Sequence, residues 1–202
     1  MKTLIKSKKE CLFLGTNKKT RLVKEIEKNN WKVICTKVSI SKNLARSYDL
    51  IISYNYRHIL KRDVLNNLKR PAINLHSSYL PYNRGSFPNF WSFIDNTLKG
   101  VTIHEIDEGI DTGPIICRKK IKFNIHNPKT NTFKKTYAIL KNKVENLFIH
   151  NIDKILDQKY NTSKQNKNGT LHFRKELPKF MDNWNMNISE AIKKYKKITK
   201  KN

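Results

Sequence analysis

The sequence has few cysteines, few acidic residues and no long apolar run. Its three cysteines, Cys11, Cys35 and Cys117, include no CxxC pair, and each lies in an apolar, strand-like run. We interpret them as buried thiols of a reducing compartment, and not as disulfides or zinc ligands. No apolar run has the length that spans a bilayer, and residues 1–10 lack the apolar stretch of a secretory signal. These absences predict a cytoplasmic protein without a membrane anchor.

The scarcity of acidic residues leaves a strongly basic chain. Against 16 Asp and Glu stand 42 Lys and Arg, which gives a net charge of +26 over 202 residues. Such a surface attracts polyanions, for example RNA or phosphorylated substrates. Lysine greatly outnumbers arginine, however, and is scattered through nearly every segment, with a run only in the C-terminal IKKYKKITKKN. We therefore favour a compositional origin of the charge over a dedicated nucleic-acid surface, although nucleic acid stays open as a partner.

Short apolar runs alternate with helical patterns along most of the chain. Strand-like runs occupy 10–15, 31–38, 48–54, 70–76, 100–107 and 114–123. Helical spacing occupies 16–30, where Thr16 is the expected N-cap, and then 59–69, 88–98, 131–157 and the tail NISEAIKKYKKI. The alternation predicts an α/β fold with a Rossmann-like, mostly parallel sheet and flanking helices. We expect a catalytic domain over 1–158 and a short C-terminal extension over 159–202 that is not an independent domain.

Two polar segments follow predicted strands. In INLHSSYLPYNRG (73–85), Asn74 and His76 are two residues apart, so they share one face at the end of the fourth strand. In DEGIDTGP (107–114), three acids and two glycines follow the fifth strand. Taken alone, the first segment also fits a strand edge entering solvent, and the second a tight acidic turn. Ligands of parallel sheets bind beyond the carboxyl ends of the strands, so an amide, an imidazole and a carboxylate could converge there.

The two segments together resemble the formyltransferase family that uses 10-formyltetrahydrofolate. NLHSSYLPYNRG followed by KGVTIHEIDEGIDTGPII fits the family pattern N-x-H-x-S-x-L-P-x-x-R-G, then G-V-T-[IV]-H and D-x-G-x-D-x-G. The upstream LFLGT and DLIISYNYRHIL also fit, and the resemblance covers about residues 10–155. The family includes methionyl-tRNA, glycinamide ribonucleotide and sugar N-formyltransferases. The resemblance implies the formyltransferase fold and 10-formyltetrahydrofolate as the formyl donor.

By motif, the resemblance places the family's catalytic trio on Asn74, His76 and Asp111. Formyl transfer to an amine develops negative charge on the formyl oxygen, and Asn74 suits the role of a donor that stabilises it. His76, beside a carboxylate, is expected to be protonated and to stabilise the same oxygen or move a proton. Asp111 is expected to pair with His76 and, through a water, to take the proton from the attacking ammonium.

The resemblance also implies a folate pocket built by two loops. The candidate cofactor-binding residues are Tyr54, Asn55, Tyr56, Ile59, Leu60, Asp107, Glu108, Gly109 and Ile110. Asn55 stands where relatives usually carry glycine, and asparagine tolerates the positive φ that this position needs. Core packing is the alternative for one of the two tyrosines. We interpret His104 as structural and expect no metal, because HEIDE is not an HExxH motif.

The acceptor amine is the least determined part of the prediction. GTNKKTR lacks the glycine-and-serine phosphate loop of glycinamide ribonucleotide enzymes, and about 45 residues after the long helix are too few for a tRNA-binding domain. We favour a small, phosphorylated or nucleotide-linked amine such as an amino sugar nucleotide. Methionyl-tRNA formyltransferase-like activity and a catalytically inactive, basic RNA-binding module remain alternatives. Whether the chain forms a homodimer stays open.

Four residues are candidates for contact with the acceptor: Arg84, Asn89, His172 and Arg174. In GTLHFRKEL (169–177), alternation sets His172 and Arg174 opposite Leu171 and Phe173, so this segment could reach back over the cleft. Arg174 would then bind a substrate phosphate in bidentate fashion. An additional edge strand with solvated side chains is the alternative.

Overall fold

A six-stranded sheet forms the centre of the protein, whose computed structural model describes residues 8–166 and 168–200. In those ranges the strands are β1 (Glu10–Leu14), β2 (Lys32–Thr36), β3 (Leu50–Tyr54), β4 (Ile73–His76), β5 (Arg84–Gly85), β6 (Gly100–Glu105), β7 (Ile115–Lys120) and β8 (Leu171–His172). The sheet order is β2-β1-β3-β4-β6-β7, and the first three pairings are parallel. β6 and β7 pair antiparallel at one edge. The predicted mostly parallel α/β fold is therefore confirmed.

Helices cover the sheet on both sides. They are α1 (Arg21–Lys28), α2 (Lys42–Ala45), α3 (Arg62–Leu65), α4 (Pro88–Ile94), α5 (Phe133–His150), α6 (Ile152–Leu156) and α7 (Ile188–Thr199). One large apolar cluster unites α1, α5 and one face of the sheet around residues such as Phe13, Ile52 and Phe148. A smaller cluster on the other face packs α2 and α3 against residues such as Leu12 and Ile51. None of the described helices is long and apolar enough to cross a membrane.

Several predicted helix boundaries are wrong. The first helix is capped by Thr20, whose side chain accepts from the N–H of Val23, and not by Thr16. The helix predicted over 59–69 is reduced to the single turn of α3. The long helix predicted over 131–157 is interrupted at Asn151, whose side-chain amide donates to the carbonyl of Leu147. An asparagine that bonds the backbone in this way competes with helical hydrogen bonding.

The C-terminal extension packs against the segment that follows β4. Its strand β8 pairs with β5 as a separate two-stranded parallel sheet. The predicted tail helix is α7, and its Ile188 and Ala191 belong to a third apolar cluster with α4 and the start of α5. Residues 1–7, 167 and 201–202, which belong to the two ranges predicted as domain and extension, lie outside the described residues.

The cysteines are less uniformly buried than predicted. All three are free, but only Cys11 is fully buried, whereas Cys35 and Cys117 are partly exposed on β2 and β7. Burial raises the pKa of Cys117 to about 11 and raises the pKa of the other two thiols as well. The thiols are therefore protonated at neutral pH and poor nucleophiles.

Candidate active site

Asn74, His76 and Asp111 meet at the end of β4. The Asn74 amide donates from Nδ2 to Asp111 Oδ1 over 3.1 Å. His76 Nδ1 lies 3.5 Å from Asp111 Oδ2. The two-residue spacing within β4 directs both side chains to the face that the 107–114 loop covers. One carboxylate thus has the amide at one oxygen and the imidazole at the other.

His104 joins this group from the neighbouring strand. It lies opposite Asn74 in the antiparallel β4–β6 pair, and its Nε2 is 3.1 Å from Asn74 Nδ2 and 3.5 Å from Asp111 Oδ1. Its Nδ1 lies 2.7 Å from the carbonyl oxygen of Glu105 and donates to it, and its Nε2 faces the Asn74 amide. His104, which the sequence analysis interprets as structural, thus contacts two members of the predicted trio. The histidine that ends the GVTIH motif was the signal that could have identified it.

His76 is fully enclosed. It is 7% exposed, and its Nε2 donates to the carbonyl of Asn83 over 3.1 Å. Burial lowers the pKa of His76 below its ordinary value of 6.5, because desolvation outweighs the attraction of the Asp111 carboxylate. Burial therefore disfavours the protonated form of His76 that the sequence analysis expects, although Nδ1 faces the Asp111 carboxylate.

Asp111 is held as a carboxylate. It adopts a positive φ of 52°, a conformation that aspartate tolerates better than most residues, and Oδ2 accepts the N–H of Gly85 over 2.8 Å. Burial opposes its ionisation, but the two imidazoles and the Gly85 N–H outweigh burial and hold the pKa of Asp111 well below its usual range. A carboxylate that stays ionised when buried attracts a cationic group that enters the site.

A cavity of about 470 Å³ opens beside these side chains. It is lined by residues of the two predicted folate loops, namely Tyr56, Ile59, Leu60, Asp107, Gly109 and Ile110. Asn74, His104 and Asp111 form its floor. We call it the first cavity. Arg57 and His58 also line it, although the sequence analysis did not select them; their position directly after YNY was the available signal.

Three of the predicted folate residues lie elsewhere. Tyr54 is buried in the large apolar cluster, in line with the core alternative, whereas Tyr56 lines the first cavity and also packs against the smaller cluster. Asn55 has the expected positive φ, 57°, but it lines a different cavity. Glu108 points outward and pairs with Arg62 over 2.6 Å.

The four candidate acceptor residues separate into different surroundings. Arg174 lines the first cavity, with its guanidinium 5.6 Å from the ring of Phe87. The strand β8 ends at His172, and a 3-10 turn begins at Arg174, so the predicted alternation over four residues is wrong. His172 also borders this cavity, but both of its ring nitrogens face carboxylates of the protein. The Arg84 guanidinium donates to Gln165 Oε1 from two nitrogens and lines neither cavity, which favours a structural role.

Asn89 lies in a second cavity of about 540 Å³. We call this the second cavity; its walls are mainly aromatic and come from Phe87, Phe90, Phe133, Tyr137 and Trp184, with Asn55, Pro88 and Lys134. The Asn89 amide donates to the Phe133 carbonyl and to Thr136, while its buried oxygen has no protein partner. The sequence analysis did not foresee Trp184, which comes from the extension.

No group of three His, Cys, Asp or Glu side chains within residues 8–166 and 168–200 is arranged to hold a metal ion. The side chains that meet at this site are one ionised carboxylate between two imidazoles, with an amide donor beside it. Such a group can take a proton from an attacking amine and can stabilise a developing negative charge.

The formyl transferase family model matches residues 7–151, which include both motifs, Asp111 and the three side chains around it. The chain belongs to the formyl transferase family. The match ends just after α5, so β8 and α7 of this formyl transferase lie outside the matched region.

Relatives of this formyl transferase act on different amines. The chain is 34% identical to the formyltransferase PseJ from Anoxybacillus kamchatkensis, solved with UDP-4,6-dideoxy-4-formamido-L-AltNAc and tetrahydrofolate; the TM-score is 0.81 and the match covers 90% of this chain and 96% of PseJ. It is 30% identical over 134 residues to dTDP-4-amino-4,6-dideoxyglucose formyltransferase of Mycobacterium bovis, or 66% of this chain and 55% of that enzyme. It is 40% identical over 84 residues to methionyl-tRNA formyltransferase of Thermodesulfovibrio yellowstonii, or 41% and 27%. The chain thus spans about half the length, or less, of the curated relatives it matches.

Proposed function

We propose that this formyl transferase moves a formyl group from 10-formyltetrahydrofolate to the amine of a nucleotide-linked amino sugar. The observation that carries the proposal is the convergence of Asn74, His76 and Asp111 beside the first cavity, in a chain of this family. The match to PseJ, which extends over nearly its full length, supports both the donor and the class of acceptor.

The first cavity suits the folate donor. Ile59, Leu60 and Ile106 give it apolar walls for a flat ring, and the 107–111 loop lies against those walls. Arg57 and Arg174 line the same cavity, and their guanidinium groups can pair with the carboxylates of a folate glutamate tail. The donor supplies a formyl carbon bound to nitrogen. Attack by the amine forms a new C–N bond to that carbon, the bond to the donor nitrogen breaks, and tetrahydrofolate leaves once its nitrogen has taken a proton.

The residues of the chain divide the proton and charge handling. The Asp111 carboxylate receives a proton from the incoming ammonium, and His76 Nδ1, 3.5 Å away, lies within reach of that proton. Asn74 holds an N–H toward Asp111 and another toward His104, and a developing oxyanion in the first cavity would compete for one of them. These donors are held in place before the reaction, which is the condition for effective charge stabilisation.

The second cavity suits the nucleotide of the acceptor. Its aromatic walls offer faces for a base to stack on, and Trp184 contributes such a face because it is 36% exposed. Lys134 places a cation at the same cavity, where a diphosphate can pair with it. The unpartnered Asn89 oxygen is an acceptor for an N–H of the base. Asn55 belongs to this cavity and Tyr56 to the first, so adjacent residues border both.

The test incubates the protein with 10-formyltetrahydrofolate and three amines: UDP-4-amino-4,6-dideoxy-L-AltNAc, dTDP-4-amino-4,6-dideoxyglucose and methionyl-tRNA. Mass spectrometry of the amine detects the added formyl group. We expect formylation of at least one amino sugar nucleotide and none of methionyl-tRNA. Formylation of the tRNA alone would favour the methionyl-tRNA alternative, and no formylation with retained RNA binding would favour the inactive module.

The three free thiols agree with action in the reducing cytoplasm.

A further inference from the structure

His172 of the extension is held by three neighbours at once. Its Nε2 lies 2.7 Å from Asp95 Oδ2, its Nδ1 lies 3.3 Å from Glu176 Oε2, and its ring stacks on Trp91 at 4.0 Å with an interplanar angle of 5°. Both nitrogens face carboxylate oxygens of the protein, so neither nitrogen remains for a substrate. The side chain is 15% exposed.

The first route from His172 to the active site runs through Asn83. Asp95, besides pairing with His172, accepts from Asn83 Nδ2 over 3.4 Å. Asn83 is fully buried, and its carbonyl is the acceptor for His76 Nε2. Its backbone N–H donates to Thr170 of the extension over 2.8 Å. The group that orients the His76 ring is therefore fixed from the extension on two sides.

The second route runs through the backbone of β5. The N–H groups of Arg84 and Ser86 donate to the carbonyls of Thr170 and His172. In a strand, alternate N–H groups point to opposite sides, so the N–H of Gly85 points away from β8 and donates to Asp111 Oδ2. Gly85 has a φ of +83°, and a Cβ there would lie 2.4 Å from the His172 carbonyl oxygen. The close approach of β8 therefore sets the direction of the hydrogen bond to Asp111.

We propose that His172 is a positioning residue of the formyl-transfer centre, which orients His76 through Asp95 and Asn83 and orients Asp111 through β8 and Gly85. The proposal rests on the proposed function. It replaces the prediction that His172 contacts the acceptor. The extension then contributes to formyl transfer by positioning residues of the site, although β8 lies outside the matched family region.

The test compares four proteins: wild type, His172→Phe, His172→Gln and, as a matched control, His126→Gln, which changes an exposed loop histidine. Phenylalanine keeps the stack on Trp91 but loses both hydrogen bonds, whereas glutamine can still donate to Asp95. Steady-state kinetics with UDP-4-amino-4,6-dideoxy-L-AltNAc and 10-formyltetrahydrofolate give kcat and both KM values. We expect kcat to fall about 10- to 100-fold in His172→Phe, since a displacement of about 1 Å in a site can cost that much. The glutamine variant should recover part of the loss, with the donor KM unchanged and the control at wild-type values.

A second readout needs no substrate. Amide hydrogen exchange at Gly85, followed by NMR, should accelerate by about tenfold or more in His172→Phe, while the amides of β1 and β3 keep their protection. If the protein formylates none of the amines, this readout still tests the coupling, and only the proposed function fails. If His172→Phe does not fold, Asp95→Asn weakens the same ion pair and should change both readouts in the same direction.

Two results would overturn the proposal. One is a melting temperature that falls while kcat stays within twofold of wild type, because His172 would then be only structural. The other is unchanged exchange at Gly85 in both His172→Phe and Asp95→Asn.

Discussion

Asn74 and His104 face each other across the antiparallel β4–β6 pair, with 3.1 Å between Asn74 Nδ2 and His104 Nε2. The same Asn74 nitrogen donates to Asp111, which lies 3.5 Å from His104. His104 therefore fixes the amide of Asn74 in the orientation that directs its N–H groups to the carboxylate. The site consists of four side chains on three segments, and not of three.

We expect His104→Phe to lower kcat by about 10- to 100-fold, because a lost positioning contact costs less than the loss of an oxyanion donor itself, which is about 100- to 1,000-fold. His104→Gln keeps an acceptor for Asn74 and should lose less. Assays stopped at fixed times, with the formyl donor and the acceptor at saturating concentrations, give kcat. Thermal melting provides the stability control. A phenylalanine variant with wild-type kcat would show that His104 only fills space.

The buried His76 predicts a pH-dependent stability. Its folded pKa is lower than its unfolded value of about 6.5, so below that pH the unfolded chain binds a proton that the folded chain does not. The free energy of unfolding should therefore decrease as the pH falls from 6.5, with a contribution of up to about 1.4 kcal/mol per pH unit. Urea unfolding between pH 5 and 8 measures this slope.

The matched variant for this measurement is His76→Gln, which cannot titrate in that range. Its slope should be shallower than that of wild type by the contribution of one proton, and the two slopes should become equal above pH 7. Equal slopes in the two proteins below pH 6.5 would contradict a lowered pKa of His76 in the folded protein.

The two cavities predict that each KM value responds to a different substitution. Trp184→Ala should raise KM for the amino sugar nucleotide by about tenfold, since stacking of a base on an aromatic ring contributes about 1–3 kcal/mol. Phe173→Ala, in the first cavity, should instead raise KM for 10-formyltetrahydrofolate. Initial rates with one substrate varied at a time separate the effects, and a rise of both KM values in either variant would contradict the division.

The sequence predicts the parts of the site that depend on local patterns. Alternation of strands and helices indicates the sheet, the N-x-H spacing sets Asn74 and His76 on one face, and asparagine at 55 indicates the positive φ that is found. The sequence could also have predicted the antiparallel β6–β7 pair, because the nine residues from 106 to 114 are too few for a parallel crossover.

Contacts between distant segments were not within reach of the sequence. The stack of Trp91 on His172 and the hydrogen bonds from Arg84 to Gln165 join segments about 80 residues apart. No local sequence pattern indicates these contacts. The protonation of His76 depends on burial, which the adjacent carboxylate alone does not reveal. The second cavity also depends on a contact between distant segments, because Trp184 of the extension packs against Phe87.

The most direct test of the central claim is single-turnover formyl transfer by Asp111→Asn, an isosteric change that removes only the negative charge. The protein, in excess over 10-formyltetrahydrofolate, is mixed with UDP-4-amino-4,6-dideoxy-L-AltNAc, and the release of tetrahydrofolate is followed with time. We expect rapid release by wild type and a rate lower by about 100- to 10,000-fold in Asp111→Asn, the range typical of a lost general base, with the affinity for folate retained. Release at the wild-type rate by Asp111→Asn would contradict the account.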